Sequence, residues 1–201
     1  MKTFISIITF LILFATVQLA EAQNSDIQLT LEPGYEMKID GDANVRSWDA
    51  DITTIDANFV LSEFDFSNLE SLTPGHFKTM ELSIPVEDID SDSRRLTRNL
   101  QGYLKIDEHP TITFNMSEVE SVTVEANEAT IIAKGIVNAA GVDHETTMNV
   151  TATLNDGTIT FSGSQDLLMT DFNIDPPTAV MGTIRARDEI SIIYTLTFSN
   201  N

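Results

Sequence analysis

Apolar and polar residues alternate along most of this chain, and the alternation has a period of two. Met80, Leu82, Ile84 and Val86 alternate with Glu81, Ser83, Pro85 and Glu87, and Ile112, Phe114 and Met116 with Thr113, Asn115 and Ser117. Met148, Val150, Ala152 and Leu154 do the same with Thr147, Asn149, Thr151 and Thr153, as do Ile190, Ile192, Tyr194, Leu196 and Phe198 with Ser191, Ile193, Thr195 and Thr197. Successive side chains of a strand point to opposite faces, so each segment has one apolar face and one mostly polar face. Ile131, Ala133, Gly135 and Val137 continue the pattern, and a turn at Asn155-Asp156-Gly157 leads into Ile159 and Phe161. Shorter versions occur at Tyr35, Met37 and Ile39 and at Ile55, Ala57, Phe59 and Leu61, the latter preceded by the stretch around Trp48. The pattern predicts an all-β domain of about eight or nine strands joined by short turns carrying Gly, Asn or Asp. Two arrangements satisfy it, a two-sheet sandwich and an antiparallel barrel closed on itself, and periodicity alone leaves both open.

One stretch departs from period two. Leu96, Leu100 and Leu104 recur every fourth residue with Arg94, Arg95 and Arg98 between them, which predicts a helix over 91–105 capped by Ser91 or Asp92. A second short helix is expected over Leu69 to Phe77.

The N-terminus reads as a leader. Lys2 supplies a positive start, Phe4 to Val17 is largely apolar, and Ala20-Glu21-Ala22 offers the small-x-small pattern of a cleavage site. Residues 1–22 are therefore expected to be a signal peptide and 23–201 a single domain, with no stable membrane span after cleavage. The chain has no cysteine, so an exported domain would hold together by burial and backbone pairing without disulfides. The formal charge of −20 argues against nucleic acid and against anionic membrane surfaces as partners.

Catalytic and metal signatures are missing from the sequence. It has no G-x-S-x-G elbow, and its carboxylates are too many for a catalytic pair to stand out. His76, His109 and His144 lie far apart without paired spacing. Asp88-Ile89-Asp90-Ser91-Asp92 begins like a calcium loop, but Ser93 stands where glycine is needed and Asn99 where a closing glutamate should be. A turn leading into a helix cap is the better reading, and no catalytic residue or metal ligand is assigned.

The choice between sandwich and barrel comes from particular residues. Glu108-His109-Pro110-Thr111-Ile112-Thr113-Phe114 resembles the signature strand of the YceI family. Leu82-Ser83-Ile84-Pro85-Val86, Ala133-Lys134-Gly135-Ile136-Val137 through Gly141-Val142, the segment Met169 to Gly182 and Asp188-Glu189-Ile190-Ser191-Ile192 are similar to further family motifs, in order. The stretch Val45-Arg46-Ser47-Trp48-Asp49 lacks a histidine that members like this one commonly carry there. The resemblance implies a lipocalin-like antiparallel β-barrel of about eight strands with one or two short helices. It also implies export to the periplasm or the cell exterior, and an apolar interior for a polyisoprenoid, quinone-like or similar long lipid, bound as cargo with no cofactor. Candidates to line that interior are Phe59, Phe64, Phe66, Phe77, Met80, Phe114, Met148, Phe161, Phe172 and Met181, the thioethers adapting to a flexible hydrocarbon. Cations are scarce, which makes Arg46, Arg185 and Arg187 the candidates to pair with a headgroup phosphate. A homodimer is compatible with this reading. The alternative is an exported interaction module with a filled core and no ligand.

Overall fold

The computed structural model describes residues 26–200; the expected leader lies outside the described residues. In chain order the elements are β1 (Ile27–Leu31), β2 (Glu36–Ala43), β3 (Ser47–Ile52), β4 (Asp56–Leu61), β5 (Phe77–Pro85), β6 (Ile89–Asp90), α1 (Arg94–Tyr103), β7 (Thr111–Glu125), β8 (Glu128–Ala139), β9 (Val142–Asn155), β10 (Thr158–Leu168), β11 (Thr178–Ala179) and β12 (Ile184–Asn200).

These segments build an eight-staved barrel, because the first three staves are interrupted. β1 and β2 form one stave broken at Pro33-Gly34, where Gly34 takes a φ of 92°. β3 and β4 form the next, and the registers show the continuity: Ile27 faces Leu61 and Lys38 faces Asp51, a slip of a single residue. β5 and β6 form the third, interrupted by a 3-10 turn at Val86–Asp88. The remaining staves, β7, β8, β9, β10 and β12, are unbroken and each pairs antiparallel with the next. β1 pairs back onto β12, with Leu31 opposite Phe198, and closes the cylinder. Closure satisfies the backbone of both would-be edges and rules out the sandwich.

The up-and-down order gives the barrel two distinct ends. At one end lie the loop over 62–76 and two tight turns, in which Ala126, Asp156 and Gly157 take positive φ. At the other lie α1, the Ala140-Gly141 turn, a 3-10 turn at Met169–Phe172, and the hairpins β2–β3 and β11–β12. The first end is solid. Leu29, Phe59, Leu61, Ile159 and Phe198 are at most 2% exposed, and Phe64, Leu69 and Leu72 from the 62–76 loop plug the opening beneath them. Burying each such side chain stabilises the fold by about 1.5–3 kcal/mol.

The helices differ from expectation in extent. α1 begins at Arg94 because Ser93, rather than Ser91 or Asp92, is the cap, its Oγ accepting from the Leu96 N–H at 3.5 Å. Asp90 is occupied locally, accepting from Thr97 Oγ1 at 2.7 Å and from the Ser91 N–H at 2.9 Å. The expected helix over Leu69 to Phe77 is instead two 3-10 turns, Leu69–Ser71 and Pro74–His76. Pro74 lacks an amide donor and Gly75 weakens a helix, so an i→i+4 ladder cannot run through them.

Candidate functional site: an apolar cavity in the barrel

Above its solid end the barrel is hollow. The cause lies in the size of the inward residues. Along β8 those positions are Ala129, Ile131, Ala133, Gly135, Val137 and Ala139, a stave of mostly small side chains. Across from them, Ala129 pairs with Ala152 and Ala133 with Met148 of β9. The space left open is a cavity of ≈ 200 Å³.

Its floor is aromatic. Phe59 sits 5.2 Å from Phe161 and 6.2 Å from Phe77, centroid to centroid, and Phe198 closes the cluster from below at 5.1 Å from Phe59. Its middle is formed by residues such as Met80, Leu82, Phe114, Met148, Val150 and Tyr194. Towards the open end it is lined by Leu104 after α1, by Ile112, Val137, Ala139 and Ile190 of the strands, and by Met169, Phe172 and Ile174 around the 3-10 turn. No Lys, Arg, His, Asp or Glu lines it among the described residues. Such a space receives hydrocarbon and rejects charge, since an unpaired ion there would lose its hydration without compensation.

Two glycines make room for the larger rings. A Cβ on Gly135 would lie within 2.2 Å of the Phe114 ring, and one on Gly163 would lie 2.6 Å from the Tyr194 hydroxyl. Each ring takes the space over the neighbouring strand where that strand presents no side chain. Tyr194 is the unusual member. Its hydroxyl is buried and has no hydrogen-bond partner among the described residues, and burial pushes the phenol up to about 12. It therefore stays protonated at physiological pH, an O–H donor with nothing to donate to.

At the rim, His144 Nε2 lies 3.6 Å from Asp171 Oδ2 and its ring is 5.6 Å from that of Phe172. Lys105 Nζ donates to the Ala140 carbonyl at 3.3 Å, tying the segment after α1 to the β8–β9 turn.

Of the residues singled out in the sequence, Phe59, Phe77, Met80, Phe114, Met148, Phe161 and Phe172 come together around the cavity. Phe64 and Phe66 do not. They lie past the end of β4, packed edge to face at 4.9 Å in the plug of the solid end. Met181 does not either: it stands fully exposed at the tip of the β11–β12 hairpin. Arg46 and Arg185 are exposed on the two hairpins at the open end, outside the cavity lining, and Arg185 Nε donates to the Gly182 carbonyl at 3.0 Å. Arg187 is likewise exposed. Alternation assigns a side chain to a face but carries no information about height along the barrel. The lining residues it left unnamed on β8, such as Val137 and Ala139, had a readable signal in that strand's run of small inward residues.

Comparison with known proteins follows the same outline. A family model described as YceI-like domain matches residues 21–198. A search of curated proteins finds no match. Among solved structures, a polyisoprenoid binding domain from Saccharophagus degradans, implicated in plant cell wall breakdown, superposes with a TM-score of 0.65 at 7% identity, covering 87% of this chain and 99% of that one. BcnA of Burkholderia cenocepacia gives 0.61 at 19% identity, over 81% of this chain and 95% of that one. The YceI protein of Campylobacter jejuni gives 0.56 at 17% identity, over 76% and 84% respectively.

Proposed function

We propose that this chain, which belongs to the YceI-like domain family, is an exported carrier that holds a polyisoprenoid, a quinone or a similar long apolar lipid inside its barrel. The observation that carries the reading is the cavity: an uncharged space of ≈ 200 Å³, floored by aromatic rings and reaching up to the α1 end of the barrel. A lipid in that space loses apolar surface to water, a gain of about 25 cal/mol per Å² before ordering costs are deducted. Transport, storage and sequestration all use the same act of binding, and none requires a catalytic group. The likeness to a polyisoprenoid binding domain supports the class of cargo.

The test is native mass spectrometry of the protein purified from its own host, followed by denaturation and analysis of the lipid released. A stoichiometric isoprenoid-type adduct is the expected result and names the cargo directly. A bare mass that stays bare after incubation with prenyl lipids would replace this reading with that of a ligand-free interaction module.

A further inference from the structure

We infer that α1 is a door in the barrel wall: it hinges away from the seam between β6 and β7, and cargo enters and leaves the cavity there. The inference rests on the carrier reading for the existence of a cargo, and on separate observations for the route.

The first observation is a step in the wall. β6 pairs with β3, Ile89 opposite Ile52 and Asp90 opposite Asp51, and no strand pairs with its other edge among the described residues. β7 starts only at Thr111, opposite Pro85. The Val86 N–H donates to the Pro110 carbonyl at 2.8 Å, the last backbone bond across this seam among the described residues. Beyond that bond β6 packs against α1 instead of a strand. The cavity lies behind the step, since Ile52, Ile84, Ile112 and Leu104 around it are all lining residues.

The second observation is how α1 is held. No residue of the helix is fully buried, and it rests on the core through Leu100, with Leu104 just past its end. No backbone hydrogen bond joins the helix to a strand among the described residues. Its fastenings run through side chains. Thr97 Oγ1 donates to Asp90 Oδ1 at 2.7 Å and accepts from the Ser91 N–H at 3.0 Å. Gln101 Nε2 donates to the Glu87 carbonyl at 3.2 Å, and Lys105 Nζ to the Ala140 carbonyl at 3.3 Å. Opening a seam between paired strands breaks a ladder of backbone bonds, whereas opening this one breaks only these four. Elements that move are drawn from such weakly fastened parts of a fold.

The third observation is that the end of the barrel is covered more firmly. Phe172 and Leu167 are buried there with Ala139, and Leu104 and Ile174 pack against them. The 3-10 turn carrying Phe172 is tied down by Thr170, whose N–H and hydroxyl donate to the Asp188 carboxylate at 2.9 and 2.6 Å. α1, by contrast, has a place to turn at each end. Ser93 is extended and caps the helix through one bond of 3.5 Å, and Gly102 is followed by Lys105 at a φ of 56°. Hinges of this kind sit at element ends, where few residues absorb the change. A helix swung out on them uncovers Leu104 and a rim of isoleucines, an apolar opening for a hydrocarbon chain.

The experiment locks and unlatches the helix. The chain has no cysteine, so an introduced pair can form one disulfide only. Asp90→Cys with Thr97→Cys replaces two side chains that touch at 2.7 Å and ties α1 to β6. With the bond formed, the initial rate of uptake of a fluorescent prenyl probe should fall about tenfold below that of the same variant after reduction, as for a closed lid. Thr97→Ala with Gln101→Ala removes fastenings instead, and should raise the rate about fivefold over the wild type. None of these three positions lines the cavity. In the wild type the α1 amides should exchange hydrogen faster than those of β5 and β7. Equal rates for the oxidised and reduced pair, no gain in the unlatched variant, or α1 amides as protected as the strands would each overturn the door. Failure of the wild type to take up the probe at all would instead remove the carrier reading, and the door's cargo with it.

Discussion

The two ends of this barrel are built from the same strands with the same alternation, yet one is packed solid and the other is hollow. At the solid end inward positions carry Phe59, Phe161 and Phe198, which fill the cross-section and touch at centroid distances of 5.1–6.0 Å. At the mouth end β8 offers Ala133, Gly135 and Ala139, and the rings of Phe114 and Tyr194 fold back against strand backbone rather than across the space. An eight-stranded barrel is just wide enough for its side chains to fill, or to hold one ligand. Side-chain volume, layer by layer, decides which outcome a given height takes. The solid end supplies stability, and the hollow end gives up some of it to stay open.

The sharpest way to break this contrast is to truncate one side chain of the floor. Phe198 is fully buried among Phe59, Phe161 and its strand neighbours. Phe198→Ala should cost about 3–5 kcal/mol, because surrounding rings held by closed staves cannot collapse into the gap. Denaturant unfolding measures it. A loss below 1 kcal/mol would mean that the floor is no better packed than the mouth.

The face of each strand was legible in the residues; its height was not. Alternation correctly set Phe59, Met80, Phe114, Met148 and Phe161 inward, and the family motifs chose a closed barrel over a sandwich. It misplaced Phe64 and Phe66 because their strand ends at Leu61 and the chain turns under the barrel, where apolar residues plug instead of line. Met181 stays out of the wall because Val180, Met181 and Gly182, all at positive φ, reverse the chain there. The expected count of about eight strands holds for the staves, although Pro33-Gly34 and the 3-10 turn at Val86–Asp88 interrupt staves whose pairing continues past them. Asn44 Nδ2 donates to the Thr183 carbonyl at 2.9 Å and joins the β2–β3 and β11–β12 hairpins, a contact beyond the reach of sequence because the two residues are 139 positions apart.

Tyr194 sharpens the contrast from within the cavity. Its phenol is raised from 10.0 to about 12 by burial. Below pH 10 the folded and unfolded chains both hold the proton. Between about 10 and 12 only the folded chain does, so stability is lost as pH rises through that window. The loss attributable to this group is about 2–3 kcal/mol. Thermal unfolding of Tyr194→Phe from pH 9 to 12 should show a shallower decline than the wild type. At neutral pH the variant should be more stable by about 1 kcal/mol, because it removes a buried hydroxyl left without a partner. A ligand that accepts from that hydroxyl would reverse the second effect, with the wild type gaining more from binding than the variant.

Met148 gives the smallest and most discriminating effect. It lies opposite Ala133, half-buried, with one side against the cavity. Truncating a well-packed methionine ordinarily costs about 2–5 kcal/mol, part of it for the new cavity. Here much of that cavity already exists, so Met148→Ala should cost only about 1 kcal/mol in the empty protein. The same substitution should weaken uptake of a prenyl probe, since the thioether is part of the wall that a hydrocarbon chain would touch. The ratio of the two losses is the measurement. At Phe198 stability should suffer most and binding only through the floor's collapse; at Met148 binding should suffer more than stability. If Met148→Ala destabilises the empty protein as much as Phe198→Ala does, the upper half of the barrel is packed and the hollow end is not a ligand site.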